Sequence, residues 1–303
     1  MHPHRMEVKR LQIKCLSWGS ISKVTMGNPN AGFTEGNIQT AKKIVAPDGS
    51  AFNYVSGQCQ RHGLRERFAE IGEALSTPVD GEVETTLGDP LNYIDDDLFG
   101  FMIAVTGDNR KRTSPVRIAP LVSLFPYRGD RDLLTKTRKA SDKGGNMVET
   151  EVYSAYLRGG GLIELDRVGK FDPSEIKETT LEIQKEERLR RLNLFLDSMM
   201  TLWTGGKQTN ILSDISPKFI AFAFQTVKLP FLLESVSCDT KGKINAETLI
   251  DSITNYSSII DRVIIGTTKV LDASALDAGV PETVEVLPMT DAFSRVKEIL
   301  STI

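Results

Sequence analysis

The chain has 303 residues, 40% of them hydrophobic and 25% charged, with a net charge of -3. That apolar share supplies a core, so disorder of the whole chain is excluded. No apolar run approaches the roughly 20 residues of a membrane span, and the polar first ten residues do not predict a secretory signal. The three cysteines, Cys15, Cys59 and Cys238, stand far apart without a CxxC pair. They support neither a disulfide framework nor a zinc knuckle, and a reduced, cytoplasmic compartment is the expectation. The total charge hides an asymmetry: residues 105–146 hold ten basic and four acidic side chains, residues 244–303 four basic and nine acidic. Local field rather than net charge decides whether a polyanion docks, so the basic middle is either an anion-binding surface or a solvated loop.

In chain order, residues 6–18 alternate apolar positions and read as a strand. Gly27-Asn28-Pro29-Asn30-Ala31-Gly32 is a loop signal. Ser56 caps a helix expected over 57–74, with Leu64, Phe68, Ile71 and Leu75 at helical spacing and Gln58, Arg61, Arg65 and Arg67 on the other face. Asp95-Asp96-Asp97 precede an expected buried strand over 98–105, and a second strand is expected over 116–125. Residues 129–146 are polar and charged, as in a long exposed loop or a protruding hairpin tip. The alternation over 147–157, Gly159-Gly160-Gly161 and the run 162–168 predict a hairpin. Pro173, behind Asp172 as cap, opens a helix expected to reach about 203, with Leu189, Leu192, Phe195, Met199 and Leu202 on its apolar face. A loop over 204–208, a strand over 219–227, an Asn245-capped helix to about 260, a strand over 263–271 and a Thr290-capped helix over 291–303 complete the chain. Strands and helices interleave without regular alternation, so an α+β fold with antiparallel hairpins is expected, and the length fits about two domains or one enlarged domain.

Enzyme constellations are thin. Of the histidines, His2 and His4 lie in the terminal tail, leaving His62 for any triad or metal site. Gly205-Gly206-Lys207-Gln208-Thr209 fails the Walker pattern, yet a glycine-lysine loop can hold a nucleic-acid phosphate through backbone N–H groups and one ammonium. Side chains of adjacent Asp95, Asp96 and Asp97 diverge, which favours capping or ion pairing over a metal site. Asp130, Asp132 and Asp142 either support metal-assisted cleavage of a bound RNA or neutralise Arg128 and Arg131. The features that cohere are a surface: Ser56, Gln58, Arg61, Arg65 and Arg67 near a helix N-terminus, which attracts phosphate, then Arg110-Lys111-Arg112 and Arg117 about a strand. Phe125 and Tyr127 are stacking partners for bases or core residues. RNA binding and an ordinary solvated surface both fit these residues.

The run Phe52-Asn53-Tyr54-Val55-Ser56-Gly57-Gln58-Cys59-Gln60-Arg61-His62-Gly63-Leu64-Arg65-Glu66 resembles the SGQ-helix motif of the DevR-type CRISPR-associated family, the backbone subunits of type I-B Cascade. Asp96-Asp97-Leu98-Phe99-Gly100-Phe101-Met102 and Arg112-Thr113-Ser114-Pro115-Val116-Arg117-Ile118-Ala119-Pro120-Leu121-Val122-Ser123-Leu124 are similar to its central signature. Glu151-Val152-Tyr153-Ser154 and Gly205-Gly206-Lys207 are similar as well, and the matches run in order from about residue 8 to 230.

The resemblance implies an RRM-like (ferredoxin-like) palm with inserted finger and thumb elements, residues 129–146 being the thumb candidate and 244–303 an acidic C-terminal part of the palm. It implies several copies head to tail along a CRISPR RNA, with other Cascade subunits as partners and target DNA met through the guide. Ser56, Gln58, Arg61 and Arg65 carry over as guide-backbone contacts, Arg112 and Arg117 as phosphate contacts, Lys207 and Gln208 as a second clamp, and Asn28 and Asn30 as loop contacts. Arg128, Arg131, Lys136, Arg138 and Lys139 fall on the thumb. No cofactor, metal or membrane is implied, and type I backbone subunits are not catalytic. Two rivals stand beside this reading: a metal-dependent RNA endonuclease of the type III kind using a thumb-loop aspartate, and a regulator acting through protein contacts.

Overall fold

The computed structural model describes residues 12–76, 86–136, 146–177, 179, 181–204 and 211–303. Strand β1 (Cys15–Gly27) leads through β2 (Ala31–Glu35), β3 (Ile38–Ala41), β4 (Lys43–Val45) and β5 (Ala51–Val55) into helix α1 (Gly57–Glu70). Helix α2 (Ile94–Phe99) and four short strands follow: β6 (Phe101–Met102), β7 (Lys111–Arg112), β8 (Val116–Ile118) and β9 (Leu121–Ser123). Next come β10 (Gly129–Lys136), the 19-residue β11 (Asn146–Glu164), α3 (Lys185–Met200), β12 (Trp203–Thr204) and β13 (Ser213–Asp214). The chain ends with β14 (Pro217–Gln225), α4 (Leu232–Ser235), α5 (Ala246–Asn255), β15 (Ile260–Thr267), β16 (Val284–Pro288) and α6 (Met289–Thr302).

One large sheet has the order β16-β15-β14-β1-β11-β9-β5-β4, with β10, β8 and β3 also paired to β11. From β14 through β1 and β11 to β9 every pairing is antiparallel. The sheet is covered on both faces, which explains why β14 reads as an almost unbroken apolar run. Ile220, Phe222 and Phe224 point into a first core cluster with Leu16 and Trp18 of β1, Phe68 of α1, Phe195 of α3 and Phe293 of α6. Phe219, Ala221 and Ala223 point the other way, into a second cluster with Ile21, Leu232 of α4, and Leu249 and Ile253 of α5. Phe222 meets Phe293 edge-on at 5.2 Å, an arrangement that aromatic quadrupoles favour.

The α+β expectation holds, and Ser56 and Asn245 cap their helices by accepting from Cys59 N and Thr248 N. Several expectations fail for local reasons; Thr290 is not a cap but lies inside α6, which starts at Met289 after Pro288. Gly159-Gly160-Gly161 is not a turn: β11 runs straight through it. A Cβ on Gly160 would stand 2.1 Å from the Trp18 carbonyl oxygen, and one on Gly161 2.1 Å from that of Arg117. The triplet lets neighbouring backbones close in. The expected strand over 98–105 begins instead inside α2, where Leu98 is wholly buried, because a short apolar run has no period of its own. The helix expected from Pro173 starts only at Lys185. Asp172 accepts from Ser174 N and Oγ and so caps a turn, not a helix. Among the described residues no helix is long and apolar enough to cross a membrane.

Because Gly161 has no room for a methyl group, Gly161→Ala is expected to lower stability by about 1–3 kcal/mol. A reduced urea midpoint at unchanged slope is the measurement that checks it.

Candidate nucleic-acid interface

Three motifs far apart in sequence meet where β1 ends. Met26, in left-handed backbone at φ 51°, turns the chain out of the strand, and its N–H donates to Ser154 Oγ. Asn28 is buried; its Nδ2 donates to the Glu151 carbonyl at 3.1 Å, while its Oδ1 has no partner among the described residues. Asn30 Oδ1 accepts the Ser56 N–H at 2.9 Å, and the Asn30 carbonyl accepts from Lys42 N. Thr204, at the end of β12, donates its hydroxyl to the Pro29 carbonyl at 3.0 Å. The GNPNAG loop, the start of α1 and the residue before the glycine-lysine loop are thus hydrogen-bonded together.

The α1 N-terminus is held against the sheet. A Cβ on Gly57 would lie 2.4 Å from the Ile118 carbonyl oxygen, so glycine is what allows this approach. Gln60, one residue from the exposed face, is buried and donates Nε2 to the Ala119 carbonyl at 2.9 Å. The first turn carries no acidic residue, which leaves the helix dipole uncompensated by side-chain charge. Gln58 is exposed, with Arg61 and Arg65 on the same face one and two turns on. Arg65 Nε binds Asp95 Oδ2 at 3.0 Å, and its guanidinium lies 5.0 Å from the Phe99 ring centroid.

Arg61 differs. It is half-buried and makes no hydrogen bond or ion pair among the described residues. Burial, reinforced by the Arg65 charge, pushes its pKa below the usual arginine value. Apart from Arg61 and Arg128, every described arginine lies within ion-pair distance of a carboxylate. A partly desolvated guanidinium without a counter-charge among the described residues is a group whose charged form an anion would favour. Lys42 is a further cation here that sequence reasoning missed. Its charge acts on the neighbouring Cys59, whose pKa is nevertheless raised, chiefly by burial. The signal was the Lys42-Lys43 pair: Lys43 binds Glu151 at 2.7 Å and sits over the Tyr127 ring, whereas Lys42 has no carboxylate partner among the described residues.

The other sequence-predicted residues go elsewhere. Arg112 is not a surface phosphate contact. Its side chain is fully buried, with Nη2 on Asp97 Oδ1 at 2.7 Å and Nη1 on Glu175 Oε2 at 2.5 Å. It also donates to the carbonyls of Asp97, Arg167 and Lys170. Arg191 of α3 binds the other Asp97 oxygen at 3.0 Å. Asp95 and Asp97 therefore pair with arginines, one of the two roles expected of the run, while Asp96 accepts the Asp89 N–H. Arg117 is 57% exposed but shares buried Glu164 with Arg167 and Lys228. Burial raises the Glu164 carboxyl, yet the Lys228 hydrogen bond and the three cations outweigh it and hold the carboxyl below its ordinary range.

Residues 129–136 and 146–153 form an antiparallel ladder, so the basic segment is a hairpin stem. Arg131 pairs with Glu149 at 3.1 Å, and Lys136 closes β10 opposite Asn146. Arg138, Lys139, Asp142, Lys207 and Gln208 lie outside the described residues. Asp130 accepts its neighbour's Arg131 N–H, and no three described His, Cys, Asp or Glu side chains converge to hold a metal ion. Tyr127 packs against the first core cluster, while Phe125 lines a cavity together with Arg128.

The family model of the CRISPR-associated negative auto-regulator DevR/Csa2 matches residues 30–247. The chain belongs to the DevR/Csa2 family. The match takes in Asn30, all of α1, Arg112, Arg117 and the 204–208 segment, and stops before β15, β16 and α6. The chain is also 33% identical over 155 residues to the CRISPR-associated protein Cas7/Cst2/DevR of Myxococcus xanthus (strain DK1622), over 43% of this chain and 51% of that protein. The aligned part thus spans about half the length of that curated relative. In fold, this DevR/Csa2 member is similar to a chain of a CRISPR RNA-guided surveillance complex, pre-nicking, with a TM-score of 0.62 at 12% identity over 94% of this chain and 100% of that one. A chain of another CRISPR RNA-guided surveillance complex gives 0.59 at 15% identity, over 94% and 99%.

The two arginine classes predict opposite stability effects. Arg112→Met strands Asp97 and Glu175 without their shared guanidinium and is expected to cost about 3–5 kcal/mol. Arg61→Ala is expected to stay within about 0.5 kcal/mol of the parent chain. Urea unfolding of both variants checks the contrast.

Proposed function

We propose that this DevR/Csa2 member is a non-catalytic, multi-copy CRISPR RNA-binding backbone subunit of a type I-B Cascade. The observation that carries the reading is Arg61: a half-buried guanidinium without a partner among the described residues, on the exposed face of α1, next to a helix N-terminus free of acids. Rigid elements hold it, so little ordering cost falls on binding. Guide phosphates are the anions of that chemistry, gripped by Arg61, Gln58, Lys42 and, in part, Arg65. Ser56, Asn28 and Asn30 act by fixing the loop and the helix start. Lys207 and Gln208 join as a second clamp, a reading supported by the hydrogen bond that ties Thr204 to Pro29. Arg117 remains a phosphate contact through its exposed guanidinium.

The palm is RRM-like on this reading. What supports it is the succession β1, α1, β8/β9, β11, α3, β14, with spatial order β14-β1-β11-β9 and both helices against the first core cluster, the arrangement of a split βαβ fold. The β10–β11 hairpin is the stem of the thumb, with Arg128 just before it and Arg131 and Lys136 along β10; Arg138 and Lys139 are read as belonging to the same thumb. Copies stack head to tail, a heterologous contact that propagates as a filament along the guide. Sequence is then read by pairing of the guide with target DNA, while the protein grips the backbone.

Purification from cells expressing a CRISPR array and the partner subunits is expected to give guide-length RNA with the chain. Arg61→Ala is expected to weaken guide binding about tenfold for all guide sequences alike and to flatten the log–log salt dependence by about 0.7. RNA-free preparations in the presence of the array, or an Arg61→Ala variant with unchanged affinity and slope, would overturn the reading.

A further inference from the structure

Arg128, the other described arginine without a partner among the described residues, belongs to a different place. It lines a cavity of about 460 Å³ with Lys23, Ser123, Phe125, Tyr156 and Thr240 among its walls. Lys23 and Tyr156 face each other across the β1–β11 ladder. Tyr156 packs against the second core cluster, whereas α1 packs into the first. The cavity therefore lies across the sheet from the α1 interface.

We infer that this cavity is a second nucleic-acid site, which takes one nucleotide of a single strand other than the guide. Arg128 and Lys23 hold the phosphate, and Tyr156 and Phe125 flank the base.

The chemistry of the walls selects this occupant. No acidic residue lines the cavity. Arg128 is exposed and has no partner among the described residues; Lys23 has only the Tyr156 ring, 5.7 Å from its ammonium. Asp239, which precedes the lining residue Thr240, accepts the N–H groups of Lys241 and Lys243 and is tied into its own turn. Two unneutralised cations on a partly aromatic wall match a phosphate joined to a flat, stackable ring, and any of the four bases would serve. Thr240 and Ser154 add hydroxyls at the rim; the Ser154 oxygen already accepts Met26 N–H, and its proton is free for the ligand. The volume falls in the range of small-ligand pockets and accommodates one nucleotide, not a duplex. The Lys23–Tyr156 pair sits a few residues before the Asn28–Asn30 loop on the same strand, so a strand bound here runs close to the guide path with the sheet between them.

The inference rests on the reading of the chain as a nucleic-acid-bound particle, and its test separates the two. The guide-loaded particle is mixed with a 5-iodouracil-substituted single-stranded oligonucleotide that is not complementary to the guide, in RNA and DNA arms. The expected result is photo-crosslinks to the peptides containing Phe125 or Tyr156. Lys23→Ala and Tyr156→Leu are each expected to weaken oligonucleotide binding at least about tenfold, with guide content per particle unchanged. The arm that crosslinks better identifies the strand as RNA or DNA. Crosslinks confined to α1, or unchanged affinity in both variants, would overturn the inference while leaving the guide site standing. Loss of copies from the particle in these variants, with oligonucleotide affinity per copy retained, would assign the cavity to a protein segment and overturn it equally. If the guide reading fails because no RNA co-purifies, the same crosslinking on the free chain decides the cavity by itself.

Discussion

The structure hangs on the antiparallel ladder between β1 and β11, which joins Cys15 to Glu164 at one end and Gly27 to Tyr153 at the other. Burial on both faces fixes its register, because a slip of one residue would send Trp18 and Ile21 to the wrong sides of the sheet. The glycine triplet allows the ladder to be this close where β8 and β9 also pair with β11. Once that register is set, the end of β1 delivers Asn28 and Asn30 to the start of α1. The start of β11 meanwhile runs on as the stem of the basic hairpin. Interface and stem are consequences of one pairing.

Charge is divided in the same orderly way. The buried Asp97 carboxylate draws Arg112 and Arg191 inward and accepts the Gly169 N–H, which binds α2, β7, α3 and the turn after β11 into one unit. Such a network specifies an arrangement more than it stabilises one, since desolvation offsets much of the attraction. Arginines consumed there are lost to the surface, and what remains uncommitted stands out. Arg61 and Arg128 are the two described guanidiniums left over, one for each face of the sheet.

Local signals were legible in the sequence. Ser56 and Asn245 announced their helices because a capping oxygen acts within three residues. The 219–227 run announced β14 because both its faces are apolar. The surface of α1 could be read from helical spacing, including Gln58, Arg61 and Arg65. What escaped reading depends on partners distant in the chain. Arg112 has the same neighbours in sequence as any exposed arginine; its carboxylates, Asp97 and Glu175, approach only through tertiary structure. Gly159-Gly160-Gly161 carries the composition of a turn, and only the Trp18 and Arg117 carbonyls pressing on it reveal a packing constraint. Strand β16 is five residues long and pairs in parallel with β15, too short to show a period. Lys42 gains meaning only from the loop that folds beside it.

One continuous strand, β11, passes from the core of the sheet into the hairpin stem. At the usual rise its 19 residues extend for roughly 60 Å without a hinge. A load applied at the far end of such a strand is not absorbed by bending at a joint. It arrives at the buried end as torque on the same ladder that sets the Asn28–Asn30 loop beside α1. The molecule is in this sense a lever with its fulcrum in the core, and a push on the hairpin and a shift of the loop are two readings of a single mechanical coordinate.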